Sequence, residues 1–256
     1  MANAAQTARA ARIDFDPESH IYRVWGLIKP SVTQVLGAIG ARVTTDEGSF
    51  FRTFFDYSFL PDYSADVAKT RGRWVADLIA YRLKQADKPM RVWSLSERQL
   101  EKLATSESYP GILGAAWLPY YDCFERWYCG RRDLKTIFVE KPLYDPGMDC
   151  CGSPDWFGTM DGKYTIIDWK TGIASPDTRY QTAAYEMLVS NEWAWLLPNG
   201  SRDWEKPPFI HRAALELHND GTDAKLIMYP VADAANDRGV FLAARRVYQV
   251  QVEGLR

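Results

Sequence analysis

The chain has 256 residues, 46% hydrophobic and 25% charged, with 31 basic against 33 acidic side chains and a net charge of -2. That balance fits an ordinary globular protein with a substantial core, excludes collagen, coiled coil and wholesale disorder, and argues against a coat of positive charge for non-specific phosphate binding. With no run approaching the roughly 18 uncharged apolar residues of a membrane span and no apolar secretory signal, the expectation is a soluble, cytoplasmic protein without a membrane partner.

Met1–Arg12 is Ala-rich and lacks acids, so a transit peptide competes there with a flexible terminal tail, and the tail is favoured. Ile13 to Leu27 reads as two short strands around a Pro17–Ser19 turn. Behind Pro30, Ser31-Val32-Thr33-Gln34 spells a capping box, and the short helix it opens should run to about Ile39 and close at Gly40. The aromatic-rich stretch Phe50 to Tyr63 reads as packing surface in preference to a base-stacking platform. Ser64 to about Gln85 has helical periodicity and carries Lys69, Arg71 and Arg73, which taken alone read as a solvated face sooner than a phosphate-contacting edge. Further helices are expected near Glu97–Ser106 and Gly114–Tyr128.

After Arg132 the texture changes to three strand-like runs, Thr136–Leu143, Asp155–Met160 and Lys163–Lys170. Asp161-Gly162 between the last two is a strong two-residue hairpin signal. A tight turn there sets Asp155 directly opposite Asp168, with β-carbons roughly 5 Å apart, an arrangement that repels like charges unless a cation lies between them. Lys170, two residues beyond Asp168, projects from the same sheet face. Phe157, Tyr164 and Ile166 on one face and Trp156, Ile167 and Trp169 on the other make this sheet central and covered. An Asp-x-Lys alone is weak, since Asp133, Asp161 and Asp223 begin one too. A helix follows, with Ser175 as cap and Pro176 at its first position, and it carries Gln181 and Tyr185 four apart on one face. The cysteines Cys123, Cys129, Cys150 and Cys151 lack C-x-x-C spacing, and adjacent Cys150 and Cys151 could hardly bond without strain, so all four are expected as free thiols.

Pro154-Asp155 followed after twelve residues by Asp168-Trp169-Lys170 resembles the defining motif of the PD-(D/E)XK nuclease superfamily. Gly152-Ser153-Pro154-Asp155 and Gln181-Thr182-Ala183-Ala184-Tyr185 resemble the GxxD and QxxxY motifs of its RecB-like branch, and Phe15–Val35 and Arg238–Val247 look similar to phage nucleases of that group. The resemblance implies an α/β (α+β) fold: a central mixed sheet flanked by helices, a restriction-endonuclease-like core over about 133–256, a helical part over about 31–130, and one domain spanning 13–256. It implies a deoxyribonuclease, with an exonuclease of phage-type recombination or DNA end processing favoured over a structure-specific or restriction-like endonuclease. Asp155, Asp168, the carbonyl of Trp169 and Glu140 would hold Mg2+ or Mn2+, Lys170 would be catalytic, and Gln181, Tyr185, Arg71, Arg73 and Arg179 would contact DNA. No iron–sulfur cluster is implied, and the expected partners are DNA and a single-strand annealing or recombination protein in a bacterial or virus-infected host cell. One element departs from the pattern: where the family carries a histidine, this chain has Ala76. Asp77 is expected to turn about 100° away along the helix and not to substitute. The departure keeps a catalytically impaired DNA-binding module in contention.

Overall fold

The computed structural model describes residues 12–16, 19–37, 40–45, 48–53, 65–84, 111–196, 207 and 209–254. The N-terminal tail, the expected helix at Glu97–Ser106 and the aromatics from Phe54 to Tyr63 lie outside these residues. The chain opens with a small antiparallel sheet, β1 (Ile13–Asp16), β2 (Ile21–Val24) and β3 (Leu27–Lys29). The third strand, which periodicity did not suggest, is reached through a turn in which Trp25 and Gly26 both adopt positive φ. Next comes α1 (Val32–Gly37). Its capping box is reciprocal: the Gln34 amide donates to Ser31 Oγ at 3.1 Å, and the Ser31 amide donates to Gln34 Oε1 at 2.9 Å. Gly40, expected to close this helix, instead begins β4 (Gly40–Thr45), which pairs with β5 (Gly48–Thr53), so the first half is not wholly helical.

Two long helices follow, α2 (Ala65–Lys84) and α3 (Gly111–Cys129). After them come β6 (Lys135–Val139), the short hairpin β7 (Leu143–Asp145) and β8 (Cys150–Gly152), then β9 (Trp156–Met160) and β10 (Lys163–Thr171). The expected run Thr136–Leu143 is two strands because Glu140 takes φ 48 and Pro142 follows. The chain continues through α4 (Thr178–Leu196), β11 (His211–Leu217), β12 (Lys225–Tyr229) and α5 (Ala234–Gly254). A five-stranded mixed sheet in the order β12-β11-β10-β9-β6 forms the centre, with β10 and β11 parallel and the other pairs antiparallel. A parallel pair needs a crossover, which α4 supplies.

This is an α/β protein whose mixed central sheet is covered by helices on both faces. On one face Trp156, Ile167, Trp169 and Leu215 pack against Trp74, Leu78 and Ile79 of α2 and Tyr121 and Phe124 of α3. On the other, Phe157 and Ile166 pack against Val35 and Leu36 of α1, Ala184 and Leu188 of α4 and Phe241 of α5. Strand alternation thus assigns the two sets of apolar side chains as the sequence suggested. Asp161 and Gly162 both take positive φ (51° and 72°), the geometry of a type I′ hairpin turn. All four cysteines are free, and no described helix is long and apolar enough to cross a membrane.

Candidate active site

The β9–β10 ladder runs from Met160↔Lys163 to Trp156↔Ile167. Continued one step, its register brings Asp155 and Asp168 level, but Asp155 sits just outside the strand and is bent. Its Oδ2 accepts a hydrogen bond of 2.7 Å from the Trp169 backbone N–H. Asp168, 1% exposed, faces the same side as Lys170, whose Nζ lies 2.6 Å from Asp168 Oδ2. Lys170 Nζ also donates to Gln181 Oε1 at 3.1 Å, and Gln181 Nε2 donates to Tyr185 Oη at 3.0 Å. The chain Asp168–Lys170–Gln181–Tyr185 therefore ties β10 to α4.

Asp155, Asp168, Trp169, Lys170 and Gln181 form the floor of a cleft of about 370 Å³. One wall is α2, presenting Arg71, Gly72, Arg73, Ala76 and Asp77; the other includes Phe15 and His20 of the N-terminal sheet; and Ile173 lies on the loop after β10. Arg71 fixes α2 to the end of β10 by donating from Nε to Thr171 Oγ1 (3.2 Å) and from Nη2 to the Thr171 carbonyl (3.1 Å). Glu140 reaches the cleft from a left-handed residue, and its amide bonds to the carbonyls of Pro154 (3.1 Å) and Asp155 (3.3 Å). A non-glycine residue held in that region costs about 1–3 kcal/mol, and such strain clusters at functional sites.

Electrostatics single out the floor. Burial, then the charge of Asp168, push the Asp155 carboxyl well above the usual carboxylate range, against the pull of Lys170. Burial likewise raises Asp168, with Lys170 opposing it. Glu140 is raised by burial and by Asp77. Two like charges sharing a low-dielectric site disfavour simultaneous ionisation, so the floor has an unmet demand for positive charge.

No family model matches the chain, and no curated protein matches it. Among solved structures 14 chains match. One of them, described as "Crystal structure of SSO0001", aligns over 73% of this chain and 84% of its own at 15% identity, with a TM-score of 0.30. A likeness that slight carries no argument about fold or function.

Asp155, Asp168, Lys170, Trp169, Glu140, Gln181, Arg71, Arg73 and Ala76 all line the cleft. Three expectations need correction. Arg179 lies elsewhere: its Nε donates to Asp237 Oδ1 at 2.8 Å and its Nη2 to Asp233 Oδ2 at 3.0 Å, at the partly exposed edge of a network whose inner members Asp237, Arg212 and Glu186 are buried. Tyr185 does not line the cleft; it is buried, and its phenol supports Gln181. Asp77 does not turn away but reaches the cleft beside Ala76, which a wall running along the helix permits. The α4 cap differs as well, since the helix starts at Thr178 and the Asp177 carbonyl accepts from the amides of Tyr180 and Gln181.

The role of Gly152 was not legible in advance. A β-carbon there would lie 2.8 Å from Tyr185 Cε1, 2.9 Å from Leu188 Cδ1 and 3.0 Å from Val32 Cγ2. The glycine three residues before Asp155 is thus the space that Tyr185 fills. Phe15, His20 and Ile173 were also missed. Ile173, an apolar residue in a Gly/Ser/Pro-rich loop, was the one available signal.

Proposed function

We propose that this chain is a divalent-metal-dependent deoxyribonuclease of the PD-(D/E)XK superfamily, in its RecB-like, phage-type branch, acting as an exonuclease in DNA recombination or end processing. The observation that carries the reading is the convergence of Asp155, Asp168 and Lys170 at the floor of a cleft whose wall presents Arg71 and Arg73. A donor set of carboxylate oxygens with excess negative charge and raised pKa values suits Mg2+ or Mn2+. Among the described residues no three acidic, histidine or cysteine side chains gather closely enough to hold an ion. Asp155 and Asp168 would therefore hold it with the Trp169 carbonyl and water, as magnesium sites with one or two carboxylates do, and Glu140 would stand by. When bound, such an ion lowers the pKa of a water and offsets charge growing on phosphate oxygens.

The chain's own residues do the rest. Lys170, held by Asp168 and Gln181, has little freedom to wander, so its ammonium is positioned to orient the attacking water and to stabilise the phosphate charge that develops in the transition state. Gln181 and Tyr185 act through Lys170 as positioning groups. Arg73 and Arg71 would hold the strand's phosphates by charge-assisted hydrogen bonds. Expected partners are DNA and, within the same reading, a single-strand annealing or recombination protein.

One observation favours a second reading, a DNA-binding module with impaired turnover: a methyl group, Ala76, lines the cleft where the family's histidine would stand. The test is incubation with Mn2+ and either linear or covalently closed circular DNA. The exonuclease reading expects degradation of the linear form alone. Cleavage of the circle makes the protein an endonuclease, and no cleavage of either, with binding retained, favours the module.

A further inference from the structure

The cleft carries more than a charged floor. Phe15 is stacked on Tyr22 with ring centroids 4.5 Å apart and planes 29° from parallel, and His20 stands edge-on to both, at 5.3 Å and 5.7 Å. Tyr22 is a rigid base for this group, because it is buried and its hydroxyl is paired with Ser153 Oγ at 3.0 Å. Phe15 and His20 line the cleft, whereas Tyr22 lies behind them. His20 holds a left-handed backbone (φ 54°), uncommon for non-glycine residues though more accessible to histidine than to most. From a different element, Ile173 also lines the cleft, 87% exposed, on the loop just past Gly172 (φ 109°).

We propose that Phe15 and His20, with Ile173, form a seat for one unpaired nucleobase of the strand whose phosphate is held at Asp155, Asp168 and Lys170. This rests on the nuclease reading above and sharpens it by naming the substrate presented to the floor: a single strand or a frayed duplex end. Every base has an apolar π-face, and stacking that face on an aromatic ring is the sequence-tolerant way proteins grip single strands. Inside a duplex both faces of a base are covered by its neighbours, so a ring platform acts only on an unstacked base. Ile173, exposed on the same cleft, would bear on the other side of the base as an apolar wedge.

The experiment is fluorescence anisotropy of a labelled short single-stranded DNA with Ca2+ in place of Mg2+ or Mn2+, which keeps a cation at the floor, the strand being checked on a gel to be uncut. The strand is compared with versions in which a single abasic residue is scanned through each position. Wild type should bind the intact strand about tenfold more tightly than the strand abasic at the seated position. Phe15→Leu, which keeps apolar volume but loses the ring, should bind both strands alike, and the solvent-exposed Ile173→Ser should show a reduced abasic penalty while melting like wild type. Equal binding of intact and abasic strands by wild type, or an undiminished abasic penalty in both variants, overturns the seat. The nuclease reading fails separately: an abasic penalty that depends on Phe15, in a protein that cleaves no DNA with Mn2+, keeps the seat and removes the reaction.

Discussion

Gly152→Ala makes a sharp probe of the way Lys170 is held. The added β-carbon would lie 2.8–3.0 Å from atoms of Tyr185, Leu188 and Val32, against an optimum near 3.5–4.0 Å for carbon pairs, so each neighbour must yield by about 0.5–1 Å. All three are buried on α1 and α4. Overpacking of this kind costs about 1–3 kcal/mol, which in a chain of this size lowers Tm by roughly 2–12 °C. Tyr185 accepts from Gln181, which accepts from Lys170, so the displacement should travel to the cleft floor. A misplacement of about 1 Å costs on the order of a hundredfold in rate. Two neighbouring substitutions calibrate the melt. Gly158→Ala puts its β-carbon 2.2 Å from the Lys135 carbonyl oxygen, where backbone cannot give way, and should be worse. Gly239→Ala, inside α5 with nothing within 4 Å, should gain about 0.5–1 kcal/mol. Melting by calorimetry and single-turnover cleavage are the assays. A Gly152→Ala protein that melts with wild type and keeps its rate refutes the chain of contacts from Gly152 to Lys170.

Tyr185→Phe removes the acceptor of Gln181 Nε2 and should cost about 1–3 kcal/mol for the buried amide left without a partner; steady-state kinetics should show kcat falling with KM for DNA unchanged. A raised KM would return Tyr185 to the substrate. Arg179→Ala should lower stability by about 1–3 kcal/mol, because Asp237 is fully buried and keeps Arg212 alone; the salt dependence of DNA binding should not change, whereas a slope smaller by about one would restore Arg179 as a phosphate contact. Ala76→His should tighten Mn2+ binding about tenfold in calorimetric titration, equivalent to one added ligand interaction of about 1.4 kcal/mol, and speed cleavage. Lower stability without tighter metal binding would mean that the imidazole is packed against the α2–α3 core that Ala76 borders.

Local signals carried the sequence reading far. Asp161-Gly162 fixes the β9–β10 register, the alternation of Trp156 and Phe157 sorts the sheet's faces, and Ser31 with Gln34 caps α1, because in each case neighbouring residues decide the outcome. Central strand β11 was missed for a physical reason. Its Arg212 and Glu216 look like solvent-facing residues, yet both are buried, with Arg212 paired to Asp237 and Glu186 and Glu216 accepting from the Ala174 amide. Those partners lie 25 to 42 residues away, beyond any periodic pattern. The same limit applies to Arg179, whose acids Asp233 and Asp237 come from the turn before α5 and its first turn, and to Phe15 and His20, which reach the cleft from the opposite end of the chain. The floor of the cleft was legible because one hairpin builds it; its walls were not, because distant segments do.

The central claim is that Asp155 and Asp168 together hold a divalent ion that cleavage requires. Titration of Mn2+ into wild type and Asp168→Asn, with cleavage of a linear DNA followed in the same samples, tests it most directly. The substitution nearly preserves shape; it relieves Asp155 of the charge that, after burial, raises its carboxyl, and it leaves Lys170 its bond to Gln181, so the variant should stay folded. The expected result is saturable Mn2+ binding and metal-dependent cleavage by wild type, both lost in a folded Asp168→Asn protein. A variant that binds Mn2+ and cuts DNA as well as its parent would contradict the account.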